Sequence, residues 1–225
     1  MDLLDNAPRP AAAPPGFTLG GDYHLHPTPA GTYFAVSRND DSPQRRFLQR
    51  LLAESATPRL TAAWLQAATG LDDEAQALAF LHELQTAGWV QGLPQAMQAP
   101  SEAAHVLFPS LLAPLSDEGR AVLADGHSLL IAAVGWKHGH CEQLAALCGQ
   151  LALLQQRHAG LRAELGLESD GWGLTSAAGF AELTFWPLLV GEARYHLVVG
   201  GEPRFNQQAY TKLAWALAQR QGALS

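Results

Sequence analysis

Two short runs in this chain carry residue types that can hold a metal. His24-x-His26 lies in an alternating segment, and on a strand both rings face one side and could chelate. His138-x-His140-Cys141 stands at a loop-to-helix junction. A structural zinc site takes four Cys or His ligands in ordered spacing. The second run supplies three, and Cys148 lies two turns further along. Exposed histidines around a buried thiol are the preferred reading, so no metal is expected at either run. Nucleophilic catalysis needs a Ser or Cys, a His and a carboxylate that converge. The histidines are scattered, no Gly-x-Ser-x-Gly occurs, and Ser128 beside His127 reads as a turn. Neither Gly-x-x-x-x-Gly-Lys-Ser/Thr nor Gly-x-Gly-x-x-Gly is present, and Gly200-Gly201 reads as turn backbone. No catalytic residues, cofactor-binding residues, metal ligands or cofactors are expected, and the chain reads as non-enzymatic.

The composition points away from polyanions. The chain has 225 residues, 48% of them hydrophobic, and a formal net charge of −7. Proteins that bind by neutralising phosphates usually carry a basic face, so nucleic acid and anionic membrane surfaces are disfavoured partners. No apolar run approaches the roughly 20 residues of a membrane span, and no membrane insertion is expected. Cys141 and Cys148 sit seven apart on an expected helix, about 10 Å along its axis, which is too far for a disulfide. Two free thiols and the absence of a secretory segment point to the cytoplasm.

Four stretches follow along the chain. Residues 1–16, rich in Pro and Ala, read as a flexible arm, with docking on a neighbour as the lesser alternative. Residues 17–93 open with an expected hairpin: Tyr23–His26 alternates, 27–31 is turn chemistry, and Thr32–Val36 is rich in strand formers. A helix over 43–55 is expected next, with Ser42 as its cap and Phe47, Leu48, Leu51 and Leu52 as its apolar stripe. Helices over 61–68 and 72–87, with Gly70 between them, lead to a short strand at 89–93. Leu60-Thr61, Leu65, Ala68-Thr69-Gly70-Leu71, Ala77, Phe80-Leu81, Leu84 and Gly88-Trp89-Val90 form a pattern that resembles the winged helix-turn-helix. Its recognition-like helix carries Asp72, Asp73, Glu74 and Glu83 and no Lys or Arg, so protein contacts are preferred to DNA. Arg45, Arg46, Arg50 and Arg59 are the basic grouping nearby, read as a solvated face or a contact with an acidic partner.

Residues 94–100 read as a linker, and 101–225 as a second unit. Its expected order is a helix over 101–113, strands at 119–125 and 129–134, a helix over 141–165, strands at 172–175, 180–190 and 194–199, and a helix over 207–221. The strand 129–134, an uninterrupted apolar run, is expected to be buried on both faces. The stripe of the long helix is Leu144, Leu147, Cys148, Leu151, Leu154, His158, Leu161 and Leu165, with Ala145, Ala152, Gln155 and Gln156 turned toward water or a neighbour. Trp136, Trp172, Trp186 and Trp215 are expected as core or interface aromatics. Phe185, Trp186, Phe205 and Tyr210 are candidates for bordering a dimer surface.

The order α-ββ-α-βββ-α, with Arg120–Gly126 before an apolar strand and Phe185–Leu188 followed by Tyr195–Val199, resembles the Roadblock/LC7 family, a relative of profilin. Together the two resemblances imply an α+β protein: a winged-helix-like unit, then a roadblock/profilin-like α/β unit over 101–225 with a five-stranded antiparallel sheet. The Roadblock/LC7 resemblance also implies a homodimer and a protein-interaction adaptor or regulator. Small Ras-like GTPases or a motility or secretion apparatus are the partner classes implied. The alternative is a transcriptional regulator acting through the winged helix.

Overall fold

The computed structural model describes residues 16–167 and 170–222, so the arm expected over 1–16 falls, but for Gly16, outside the described residues. The elements run β1 (His24–Pro27), α1 (Pro29–Ser37), α2 (Pro43–Ala53), α3 (Ala62–Thr69), α4 (Glu74–Thr86), β2 (Val90–Leu93) and α5 (Ala104–Leu112). A 3-10 turn over Ala113–Leu115 follows α5. Then come β3 (Ala121–Asp125), β4 (Leu130–Val134), α6 (His138–Arg157), α7 (Ala159–Glu164), β5 (Trp172–Thr175), β6 (Ala181–Val190), β7 (Ala193–Gly200) and α8 (Gln208–Gly222).

The first half departs from expectation at one element. The second strand of the supposed hairpin is the helix α1. Thr28 caps it by accepting from the Gly31 amide (3.1 Å), and Pro29 stands at its first position, where a missing N–H costs nothing. Those end signals, together with burial of Gly31, Thr32, Ala35 and Val36, override the strand preference of Thr32–Val36. The strand β1 pairs instead with β2, His24 opposite Leu93. The helices α2, α3 and α4 form where expected. Ser42, Thr61 and Asp73 cap them, and Gly70, at φ +72, ends α3 in a left-handed conformation that glycine adopts without strain.

The second half is built on one sheet with strand order β4-β3-β7-β6-β5, every neighbouring pair antiparallel. The strand buried on both faces is β3, where Ala121 to Ala124 are fully enclosed, and not β4. β4 is an edge strand and only half-buried along its length, because it has a single strand neighbour. Alternation along the strands splits the core. Leu123, Leu197 and Val199 face one side, with α5 and α8, while Val122, Phe185 and Val198 face the other, with α6.

The two halves share a core. One buried cluster joins Leu25, Phe47, Leu52 and Leu65 to Leu112, Leu197, Leu213 and Trp215. α1 packs on β6 and α8, and α2 packs on α8. Gln49 of α2 reaches across: its Nε2 donates to the Ala35 and Leu189 carbonyls (2.8 and 2.7 Å), and its Oε1 accepts from the Gly191 amide (2.7 Å). Trp215 Nε1 donates to the Glu54 carbonyl at 2.7 Å. Residues 94–100 lie along 55–57. Met97 and Thr57 exchange bonds at 2.9 Å, and the Ala99 amide donates to the Ser55 carbonyl.

Candidate interaction surface

The surface begins with how α6 meets the sheet. Its buried residues are Cys141, Ala145, Cys148 and Gln155, at three- to seven-residue steps on one face. Small side chains let the helix axis lie close to the strands, and Leu144, Leu147 and Leu151 pack half-buried on its flanks. The expected stripe is therefore rotated. Ala145 and Gln155 face inward, and the leucines are shoulders rather than the floor. The helix also ends sooner than expected. His158, at φ −108 and ψ 22, divides it, and the short α7 follows.

α6 packs on β3, β4 and β7. The strands β5 and β6 extend past it, so this side of the sheet is open at its far end. Trp172 stands opposite Phe185 and Leu174 opposite Leu183, which places both on the face that α6 shares. Across from them, α7 and the turn after it present Leu161, Leu165 and Leu167. Trp172, Leu174, Phe180 and these leucines are between 39% (Trp172) and 66% (Phe180) exposed. A groove of about 770 Å³ runs between the helix and the strand, lined by Leu154, His158, Leu161, Leu165, Leu167 and Trp172. Arg162 and Gln155 both bond to Asp170, tying the helix to the start of β5.

β5 is also the end of the sheet. All four of its residues are exposed, and among the described residues its sole strand partner is β6. Its outer backbone groups present a template for another strand. Apolar side chains and unpaired backbone groups thus meet in one place. Fully burying an exposed side chain of this kind is worth about 1.5–3 kcal/mol, and these, already partly covered, would gain roughly half of that each.

Comparison with known proteins gives little at the level of sequence. No family model matches the chain, and no curated protein matches it. Two solved structures are similar over 56% of it. One is a Roadblock/LC7 domain from Streptomyces avermitilis, at 17% identity, with all of that chain covered and a TM-score of 0.38. The other is Myxococcus xanthus MglB, at 15% identity, with 96% of that chain covered and a TM-score of 0.35.

The residues singled out for chemistry are dispersed. Among the described residues no group of three His, Cys, Asp or Glu is placed to hold a metal ion. His24 Nδ1 donates to the Thr57 carbonyl (3.1 Å), while His26 is buried against Trp215. His138 and His140 are exposed, the first beside Glu142 at 3.3 Å, while Cys141 turns inward and its Sγ donates to the Lys137 carbonyl. Burial raises the Cys141 thiol pKa and pushes that of Cys148 up to about 12, so both are held as inert thiols. Ser128 sits in the β3–β4 turn at φ +65.

The basic grouping is occupied within the fold. Arg45 bonds the Ala35 and Asp40 carbonyls, Arg46 pairs with Asp41, Arg50 bonds the Ala67 carbonyl, and Arg59 pairs with Asp22 through two bonds. On α4, Glu74, Gln76, His82, Glu83 and Gln85 face outward, and Phe17 stacks on His82 at 4.3 Å. The aromatics expected near a dimer surface all make packing contacts within the fold. Trp186, Phe205 and Tyr210 pack with Tyr33 beneath α1, and Phe185 lies under α6. Leu167, Leu174 and Phe180 were the residues of the open face that periodicity did not mark out. The signal available was the Trp172/Leu174 alternation in a strand too short to be buried on both sides.

Proposed function

We propose that this chain is a non-enzymatic protein-interaction adaptor that works in the cytoplasm as a homodimer. The single observation that carries the reading is the union of a bare strand edge, β5, with the exposed leucines of α7 beside it. A second copy brought up by a two-fold axis would pair β5 with β5 and cover both leucine clusters at once, satisfying backbone and apolar groups together. The strand order and helix placement of residues 101–225 agree with the Roadblock/LC7 resemblance of the sequence. That resemblance makes a small Ras-like GTPase, or a component of a motility or secretion apparatus, the partner class to test. The run α2-α3-α4-β2, with a bridge between His24 and Arg59 before α3, supports a winged-helix-like unit serving protein contacts. An outward α4 face of Glu and Gln without Lys or Arg would repel phosphates, which weighs against a transcriptional regulator.

Sedimentation velocity tests the reading. The native chain is expected to sediment as a dimer, and Leu161→Glu and Leu174→Lys, both at exposed sites, as folded monomers. A native chain that stays monomeric well above micromolar concentration sinks the proposal. Steep, salt-sensitive binding of random duplex DNA would favour the regulator instead.

A further inference from the structure

Arg194 opens β7 beside the turn between β3 and β4. It stands opposite Leu189 of β6, and a Cβ on Gly126 of that turn would come within 3.0 Å of its carbonyl oxygen. Strand alternation puts Arg194 on the same face as His196 and Val198, the face that α6 covers. There it lines a cavity of about 540 Å³ beside the second half of α6, with Gly126, Gly149, Gln156, Asn39 and Asp170 also in the lining.

Arg45, Arg120, Arg162 and Arg194 are the half-buried arginines among the described residues. Arg45 bonds two carbonyls, Arg120 pairs with Glu118, and Arg162 pairs with Asp170. Arg194 has neither a hydrogen bond nor an ion pair from its side chain among the described residues. The carboxylates around it are engaged. Asp125 Oδ1 accepts from the His127 and Leu129 amides of its own turn, and Asp170 is held by Arg162.

His196, the next residue on that face, is only 5% exposed, and its ring makes no hydrogen bond among the described residues. Burial, and then the Arg194 charge, lower its pKa against the opposing pull of Asp125, so the ring is neutral near pH 7 and has one N–H to donate. Ser128 holds φ +65, a conformation uncommon outside glycine, and its hydroxyl lies where a Cβ on Gly149 would collide with it. A planar fork of donors, half removed from water and lacking a protein acceptor, suits a phosphate or carboxylate. The cavity has the volume of a small-molecule site.

We propose that this cavity binds the oxyanion of a small ligand, a phosphate or carboxylate group gripped by Arg194, with His196 beside it and Gln156 on the helix wall. The site is separate from the dimer surface proposed above: neither Arg194 nor His196 lines the groove between α7 and β5.

The test titrates the full ¹⁵N-labelled chain with inorganic phosphate at constant ionic strength. The Arg194 Nε–H and His196 ring signals are followed by NMR. Saturating shifts are expected with a Kd of about 1 mM. Arg194→Gln is expected to weaken binding by about tenfold or more, and Arg194→Lys, which keeps the charge without the fork, by several-fold. Far-UV circular dichroism checks that the variants fold, and Arg194→Lys carries the test if Arg194→Gln does not. Acetate, titrated in the same way, separates the sources: tighter phosphate assigns a phosphoryl group, and tighter acetate assigns a carboxylate. Both variants are expected to sediment as the native chain does, so failure of the dimer and failure of this site read out separately. Shifts that do not saturate by about 20 mM, that persist unchanged in both variants, or that appear equally at the exposed Arg204 overturn the proposal.

Discussion

Replacing Gln49 with Ala tests whether the halves of this chain stand or fall together. The side chain spans three backbone groups on three segments: the Ala35 carbonyl at the end of α1, the Leu189 carbonyl in β6, and the Gly191 amide in the β6–β7 turn. At about 1 kcal/mol per hydrogen bond the ceiling is about 3 kcal/mol. The Ala35 carbonyl keeps a second donor, Arg45 Nε at 3.0 Å, and Gly191 is exposed, so water replaces part of the loss. The Leu189 carbonyl, in a buried residue, loses most. A destabilisation of about 2 kcal/mol is expected. Urea unfolding followed by tryptophan fluorescence and by far-UV circular dichroism measures it, with Arg50→Ala, one residue on and exposed, as a control costing well under half as much. Both probes are expected to give one coincident transition in native and variant chains, since the buried cluster is continuous. A change below about 0.5 kcal/mol, within the range of ordinary surface substitutions, or two separated transitions, would refute the argument that Gln49 couples the halves.

Two further outcomes follow from the core. Burial, and secondarily the Lys212 charge, lower the His26 pKa from 6.5 to about 4, so between those values the unfolded chain binds the extra proton. Stability is then full above pH 6.5 and is lost as pH falls toward 4, by up to about 3 kcal/mol. His26→Phe, which keeps a neutral ring where Nε2 has no hydrogen-bond partner among the described residues, is expected to flatten the pH profile of the urea midpoint. Gly31→Ala reverses the usual helix preference: its Cβ would fall on the Trp89 carbonyl, well inside contact distance, and a loss of about 1–3 kcal/mol in thermal or urea unfolding is expected despite alanine's better propensity.

Much of the architecture was legible because local signals and tertiary needs coincide. Phe47, Leu48, Leu51 and Leu52 are spaced for one helix face, and all four are buried. Gly70, Gly179, Gly191 and Gly201 fall at turns and all have positive φ. Where the signals conflict, residues distant in sequence decide. Thr32–Val36 favours a strand in isolation, but α8 and β6 receive it as a helix, with Thr32 Oγ1 bonded to Thr211 Oγ1 at 3.0 Å. The face of α6 was misassigned for a related reason. Leucine spacing marks an apolar side, yet the closest approach to a sheet selects Cys141, Ala145 and Cys148. The open surface was least legible. Leu161 and Leu165 continue the helical stripe, and periodicity cannot register that the helix has outrun the strands beneath it.

The two rims of the sheet are unequal. β4 lies against α5 and α6 and is half-buried throughout, whereas every residue of β5 is exposed. A ribbon sticky along both margins could add copies without limit, as fibres do. If the proposed pairing runs through β5, whose apolar side chains are exposed where those of β4 are half-buried, joining two copies would use up the stickier margin and limit further growth.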